Sequence, residues 1–167
     1  MDFGIVLKTL GRLLIIESAF LFSPLLVSLY YQETDTNAFL IAIIITALAG
    51  IILNSYKSGK GIIRYREGFM IVGMGWLLVS LFGSIPFMLA GTFDTFINAF
   101  FETVSGFTTT GATVLVNIEI QPHGILFWRG LTHWLGGMGI LVFTLALLPA
   151  MEVSNISILK AESPGPT

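Results

Sequence analysis

The chain has 167 residues, of which 54% are hydrophobic and 11% charged, with a mean hydropathy of +0.88; that is far too apolar for an ordinary soluble domain and reads as an integral membrane protein. A net charge of -2 offers nothing to nucleic acid or to an acidic substrate, and the absence of cysteine removes disulfides, thiolate nucleophiles and cysteine-based metal sites together. The two histidines, His123 and His133, are too few and too widely spaced for a metal centre.

Lys8 and Arg12 precede an apolar run from Leu13 to Tyr31. The run is longer than the core of a signal peptide and lacks an Ala-x-Ala-like cleavage site, so it reads as a first span. Glu17 is expected near the membrane interface, paired with Arg12 or reaching headgroups, and Pro24 is expected to bend the helix. The acidic linker Gln32 to Asn37 leads into a second span from Ala38 to Leu53. Next comes a loop containing Lys57, Lys60, Arg64 and Arg66, four of the eight basic residues. Its glycines and lysines lack the Gly-x-x-x-x-Gly-Lys-Ser spacing of a phosphate cradle, so the basic residues read as topogenic charge. The positive-inside rule puts this loop and the N-terminal end in the cytoplasm and the acidic linker outside.

A third span from Phe69 to Ala90 has small residues, Gly73, Gly75, Gly83 and Ser84, suited to close helix contact, and Pro86 to kink or end it. Thr95 to Phe107 is then too short to cross at 1.5 Å per residue. Capped by Asp94 or Thr92, it reads as a re-entrant pore helix entering from outside, its C-terminal end directing partial negative charge at the cavity centre. Phe107-Thr108-Thr109-Thr110-Gly111-Ala112-Thr113 comes next at membrane depth, where unpaired backbone groups cost several kcal/mol unless they line a cavity or pack on protein. Glycine opens backbone angles closed to other residues, and a row of carbonyl oxygens turned inward can replace the water around a bare cation. Val114 to His123 returns the chain, with Glu119 as an exposed loop acid, and a last span runs from Ile125 to Ala150. The tail from Met151 onward is polar and cytoplasmic.

The fold expected is therefore all-α and integral to the membrane, with four transmembrane helices, one re-entrant pore helix and a filter loop. The divisions are 1–67, two spans and the basic loop; 68–150, a span-pore-span repeat; and 151–167, the tail.

Thr109-Thr110-Gly111-Ala112-Thr113 matches the potassium-channel filter Thr-Val-Gly-Tyr-Gly at the first threonine and central glycine. The longer string from Phe100 to Ala112, with Trp134-Leu135-Gly136-Gly137-Met138-Gly139 after it, resembles the first pore repeat of the TrkH/KtrB family of bacterial potassium transporters. The resemblance implies potassium uptake across the bacterial cytoplasmic membrane, with K⁺ as cargo and no covalently bound cofactor. It also implies that this chain is the N-terminal portion of a polypeptide with three further pore repeats, that the complete subunit dimerises, and that it works with a cytosolic nucleotide-binding regulatory subunit of the TrkA type.

The ligands expected for K⁺ are the backbone carbonyls of Thr109, Thr110, Gly111 and Ala112, flanked by Thr108 and Thr113. Ala112 and Thr113 stand where the channel signature has tyrosine and glycine, which points to a looser site. Glu102 and Arg129 are charges at similar depth that need partners, and as a pair they would buttress the filter. Gly136, Gly137 and Gly139 pack tightly, or serve as a hinge or border the vestibule beneath the filter. The rival reading is a non-transport membrane assembly subunit whose Thr/Gly turn only packs. An intramembrane enzyme has little support, since no nucleophile stands beside a base and no His-Glu-x-x-His occurs.

Overall fold

The computed structural model describes residues 3–56 and 65–140. The basic-loop residues 57–64, the end of the expected last span and the tail lie outside the described residues.

Every element among the described residues is helical: α1 Phe3–Phe20, α2 Phe22–Tyr31, α3 Thr36–Asn54, α4 Tyr65–Gly83, α5 Ile85–Leu89 and α6 Phe96–Phe107, with α7 running from 123 through 140. Three stretches are long and apolar enough to cross a membrane, Phe3–Tyr31, Thr36–Asn54 and Arg66–Leu89.

The first crossing starts ten residues before the expected Leu13, at Phe3, and is broken at Leu21. Pro24 has no N–H for the Phe20 carbonyl one turn back, and the Ser23 hydroxyl donates to that oxygen instead, at 2.7 Å. The third crossing breaks at Ser84, and Pro86 opens the short helix α5. At that break the Gly83 carbonyl accepts Trp128 Nε1–H of α7 at 2.9 Å, tying two helices through an oxygen at the interruption.

Close approach depends on glycine where the chain allows no larger side chain. A Cβ on Gly11 of α1 would stand 2.6 Å from the Gly50 carbonyl oxygen of α3, and a Cβ on Gly50 would stand 2.9 Å from the Gly11 oxygen. The two backbones therefore touch, and α1 packs more extensively on α3 than on α2 or α4. Of the small residues expected to make contacts on the third crossing, Gly73 meets nothing within 4 Å, whereas a Cβ on Gly83 would lie 3.1 Å from the Phe107 ring.

The core lies against α6. Phe39, Phe87, Ala99, Phe107, Ile125 and Trp128 are buried together there, with Trp76 and Leu135 packed against them. Phe107, the last residue of α6, meets Trp128 edge-on at 6.4 Å between ring centroids and Trp76 at 6.4 Å. The end of the short helix is thus anchored by three aromatic rings drawn from α4, α6 and α7.

Candidate functional site: the turn after the pore helix

α6 is 12 residues long and too short to cross. Its N-cap is Thr95, whose hydroxyl oxygen accepts Asn98 N–H at 3.3 Å, rather than the expected Asp94 or Thr92. Thr95 has the extended backbone that places a capping hydroxyl over the first turn, while the Thr92 hydroxyl is buried without a hydrogen-bond partner among the described residues.

At its other end α6 closes in a Schellman motif. Thr110 N–H donates to the Ser105 carbonyl at 3.0 Å and Thr109 N–H to the Gly106 carbonyl at 2.9 Å. The motif requires a left-handed residue, usually glycine, and here it is Thr109, at φ 56°. A β-branched side chain in that region is strained, and such strain gathers at functional sites. Gly111 adopts φ 76°, in keeping with the freedom expected of it.

Thr108, Thr109 and Thr110 commit their N–H groups to the helix, while the oxygens of the turn stay without donors among the described residues. Among the described residues no donor reaches the carbonyl oxygens of Thr108, Thr109, Thr110 or Gly111. Residues 108–114 are all exposed, although they are flanked by the buried run Ser105 to Phe107 and by buried Leu115. Ala112 differs from its neighbours, because its carbonyl accepts the Ser105 hydroxyl at 2.6 Å and keeps one lone pair for any other partner. The Thr108 hydroxyl donates to the Val104 carbonyl at 2.7 Å and lies 2.8 Å from the Thr110 hydroxyl.

Glu102 and Arg129 meet. Arg129 Nε lies 2.6 Å from Glu102 Oε1, and Glu102 is 2% exposed. The same carboxylate accepts the Thr113 hydroxyl at 2.8 Å and the Val114 N–H at 3.1 Å. Thr113 in turn accepts Leu115 N–H at 3.0 Å. One buried acid on α6 therefore holds both the exit of the turn and the arginine of α7, and every bond to that carboxylate is charge-assisted.

α7 lies directly against this construction. Gly136 is buried, and a Cβ there would collide with the Phe107 backbone. One turn earlier Thr132 faces Gly106 closely enough that a Cβ on Gly106 would run into the threonine hydroxyl. Gly137 is exposed and its nearest neighbour would be Thr109 Cγ2 at 3.9 Å, while Gly139 faces the Trp76 ring. Of the three glycines singled out in the sequence, Gly136 is a packing glycine and Gly137 faces the turn. His133 Nδ1 lies 2.9 Å from the Arg129 carbonyl.

Two other expectations fare differently. Glu17 does not pair with Arg12: it is 4% exposed and both its oxygens lack partners among the described residues. Residues five apart on a helix lie about 140° apart around it, so Arg12 looks outward while Glu17 looks in. His123, treated in the sequence only as a poor metal ligand, lies 2.7 Å from Glu33 and stacks on Tyr31 with ring centroids 3.9 Å apart. The acidic linker and the start of α7 therefore share one end of the molecule, and no cluster of metal-ligating side chains occurs among the described residues.

Sequence reasoning missed Ser105 as a donor to the Ala112 carbonyl and Thr109 as the left-handed residue. The Thr109-Thr110 pair after a helix end contains no glycine at the position where the motif usually has one, so the pattern is silent. The Gly11 and Gly50 contact was also missed, since each is a lone glycine in an apolar run.

Three stretches long and apolar enough to cross a membrane, with a 12-residue helix and its strained turn packed among them, define an integral membrane protein. The TrkH family model, described as a cation transport protein, matches residues 35–167, and the chain belongs to that family. The chain is 38% identical over 168 residues to the Trk system potassium uptake protein TrkH of Halomonas elongata, covering 99% of this chain and 35% of that protein. Identity to TrkH of Escherichia coli is 38%, with the same coverage. Identity to TrkG of Escherichia coli is 34%, over 97% of this chain and 34% of that protein. The crystal structure of the potassium transporter TrkH from Vibrio parahaemolyticus superposes with a TM-score of 0.84 at 34% identity, covering 89% of this chain and 32% of that one. The chain thus spans about a third of the length of the relatives it matches, 35% of the first two.

Proposed function

We propose that this chain is the N-terminal portion of a potassium uptake transporter of the bacterial inner membrane, and that Thr108 to Thr113 supplies one quarter of its selectivity filter. The observation that carries this reading is the row of carbonyls at Thr109, Thr110 and Gly111, on exposed residues and unpartnered among the described residues, beyond the C-terminal end of a helix too short to cross. Oxygen dipoles in that arrangement can replace the hydration of K⁺, and the negative end of α6 favours a cation in front of them. Ala112 is the weakest of the ligands because Ser105 already donates to its oxygen. Glu102 and Arg129 support the turn: the acid fixes Thr113 and Val114, and the arginine neutralises the acid.

In this reading residues 68–150 form one span-pore-span repeat preceded by the two-span region 1–67 and followed by the cytoplasmic tail 151–167. The chain has four crossings and both its ends are cytoplasmic. Three further repeats close the ring in the complete subunit, which dimerises and binds a TrkA-like cytosolic regulatory subunit. The cargo is K⁺, and no residue has a catalytic role. The strain at Thr109 and the hold of Glu102 on Thr113 and Val114 favour this over a turn that only packs, because strain gathers at functional sites.

The test is rubidium uptake by the full-length gene in a potassium-requiring strain. Wild type restores growth at low potassium; Gly111→Ser reaches the membrane in equal amount and loses discrimination of K⁺ and Rb⁺ over Na⁺. A Gly111→Ser transporter with unchanged discrimination removes the turn from the filter.

A further inference from the structure

A cavity of about 260 Å³ lies between α1, α4 and α7, lined by Leu13, Ile16 and Phe20 of α1, Val72 and Trp76 of α4, and Phe107 of α6. Both Glu17 carboxyl oxygens are closed off from it and one packs toward Gly83, so the open space is walled by apolar surface. The volume exceeds the roughly 150 Å³ that accommodates benzene. Left empty, such a space forfeits the dispersion contacts its lining would otherwise make. Its rim reaches the outer surface of α1, where Ile16 is 53% exposed. Ile16 lies one turn from Arg12 and only about 40° around the helix from it, whereas Glu17 lies about 140° from Arg12, on the inward side. Lys8, one turn nearer the N-terminal end, continues the same stripe. Arg12 is exposed, Lys8 is half-buried, and neither is paired with an acid among the described residues.

An apolar space with two unpaired cations at one end of its rim matches a molecule that every membrane supplies. Lipid tails are as apolar as the side chains around them, so a tail enters for the packing it restores and not to escape water. Choice among lipids then falls to the headgroup. A phosphate gains charge-assisted hydrogen bonds from arginine, and each basic residue near the membrane surface favours anionic lipid. We propose that this cavity and the stripe of Lys8 and Arg12 bind one anionic phospholipid, with an acyl chain between Ile16 and Trp76 reaching Phe107 and the phosphate on the two basic side chains. Long basic side chains extend toward the interface, which brings their charged ends to phosphate level. Phe107 is the last residue of α6, so the tail supports that helix end from behind and stands apart from the carbonyls of the turn. Only the leaflet, cytoplasmic where the N-terminal end is cytoplasmic, rests on the proposed function.

The experiment uses the tryptophan in the wall. The full-length protein is reconstituted in phosphatidylcholine bilayers and titrated with phosphatidylglycerol or phosphatidylcholine carrying brominated tails, which quench indole fluorescence on contact. Subtracting the signal of Trp76→Phe isolates Trp76. The mole fraction that half-quenches Trp76 is at least about fivefold lower for phosphatidylglycerol than for phosphatidylcholine. Lys8→Gln combined with Arg12→Gln brings the two lipids level, and Val72→Phe, which fills the cavity, reduces quenching by both. Equal quenching by the two headgroups in wild type overturns the proposal, as does a preference that survives the double charge substitution. Quenching unchanged by Val72→Phe puts the tail elsewhere and overturns it too. So does a Trp76 that neither brominated lipid reaches, since the space is then closed by the rest of the chain. The headgroup comparison needs no variant beyond the conservative Trp76→Phe. No transport is measured, so the result stands independently of the potassium reading.

Discussion

Two helices in this chain end the same way and do different work. At the end of α2, Gln32 is left-handed at φ 55°, with Gln32 N–H donating to the Leu29 carbonyl and Glu33 N–H to the Ser28 carbonyl. At the end of α6, Thr109 is left-handed at φ 56°, with the same two-bond pattern onto Gly106 and Ser105. After Gln32 the chain re-enters a helix within four residues, at Thr36, and its polar groups are absorbed locally: Ser28 and Asp35 are hydrogen-bonded and the Thr36 hydroxyl lies 2.8 Å from that of Ser28. After Thr109 no helix forms before α7, residues 110–114 are exposed, and support comes from Glu102 and Ser105 in the preceding helix and from Arg129 in α7. One backbone device closes a helical hairpin in the first case and builds a ledge of free oxygens in the second. The difference lies in the side chains that hold the residues just beyond each turn.

The comparison can be broken most severely at Glu102. Glu102→Ala leaves the half-buried Arg129 without its acid and releases Thr113 and Val114, costing about 3–5 kcal/mol, whereas Asp35→Ala at the α2 turn costs less because it strands no charged partner and Ser28 keeps the Thr36 hydroxyl 2.8 Å away. Thermal melting of the purified protein in detergent reads the difference, and equal losses at Glu102→Ala and Asp35→Ala would erase the distinction between the two ends. Next in size is Gly136→Ala, whose methyl meets the Phe107 backbone; overpacking there costs up to about 3 kcal/mol and moves the helix end that carries the turn. Melting temperature and rubidium uptake fall together in that variant.

The sharpest contrast is Thr109→Gly against Gln32→Gly. Both relieve a left-handed residue, worth about 1–2 kcal/mol, and both raise or keep the melting temperature. Only the first alters ion discrimination, because it also removes the branched side chain beside the free oxygens. The smallest expected effect is Ser105→Ala, which removes one hydrogen bond to the Ala112 carbonyl and costs about 1 kcal/mol. Its uptake keeps the K⁺ preference while cation affinity shifts, and an unchanged affinity places Ala112 outside the ligand set.

Much of the fold and part of the site are legible in the residues alone. Span lengths follow from runs of apolar residues, and the stretch from Thr95 to Phe107 announces itself by being too short to cross. Gly111 is identifiable because no other residue takes its angles cheaply. Glu102 and Arg129 pair on the general cost of isolated charge at depth, 27 residues apart in sequence. The same reasoning fails for Glu17, because the cost of a buried acid argues for a partner and Arg12 is the nearest in sequence, yet helix geometry turns the two residues away from each other.

The division has a physical cause. The amino-acid sequence by itself determined what one dimension can encode: which segments are apolar enough to lie in lipid, where proline and glycine interrupt them, and where polar residues stand at forbidden depth. Only the tertiary structure decided which oxygen goes unpaired, which acid finds a base, and that Gly11 lies on Gly50 and Gly136 on Phe107. Those outcomes depend on contacts between segments distant along the chain, where a shift of an ångström in one helix exchanges one donor for another.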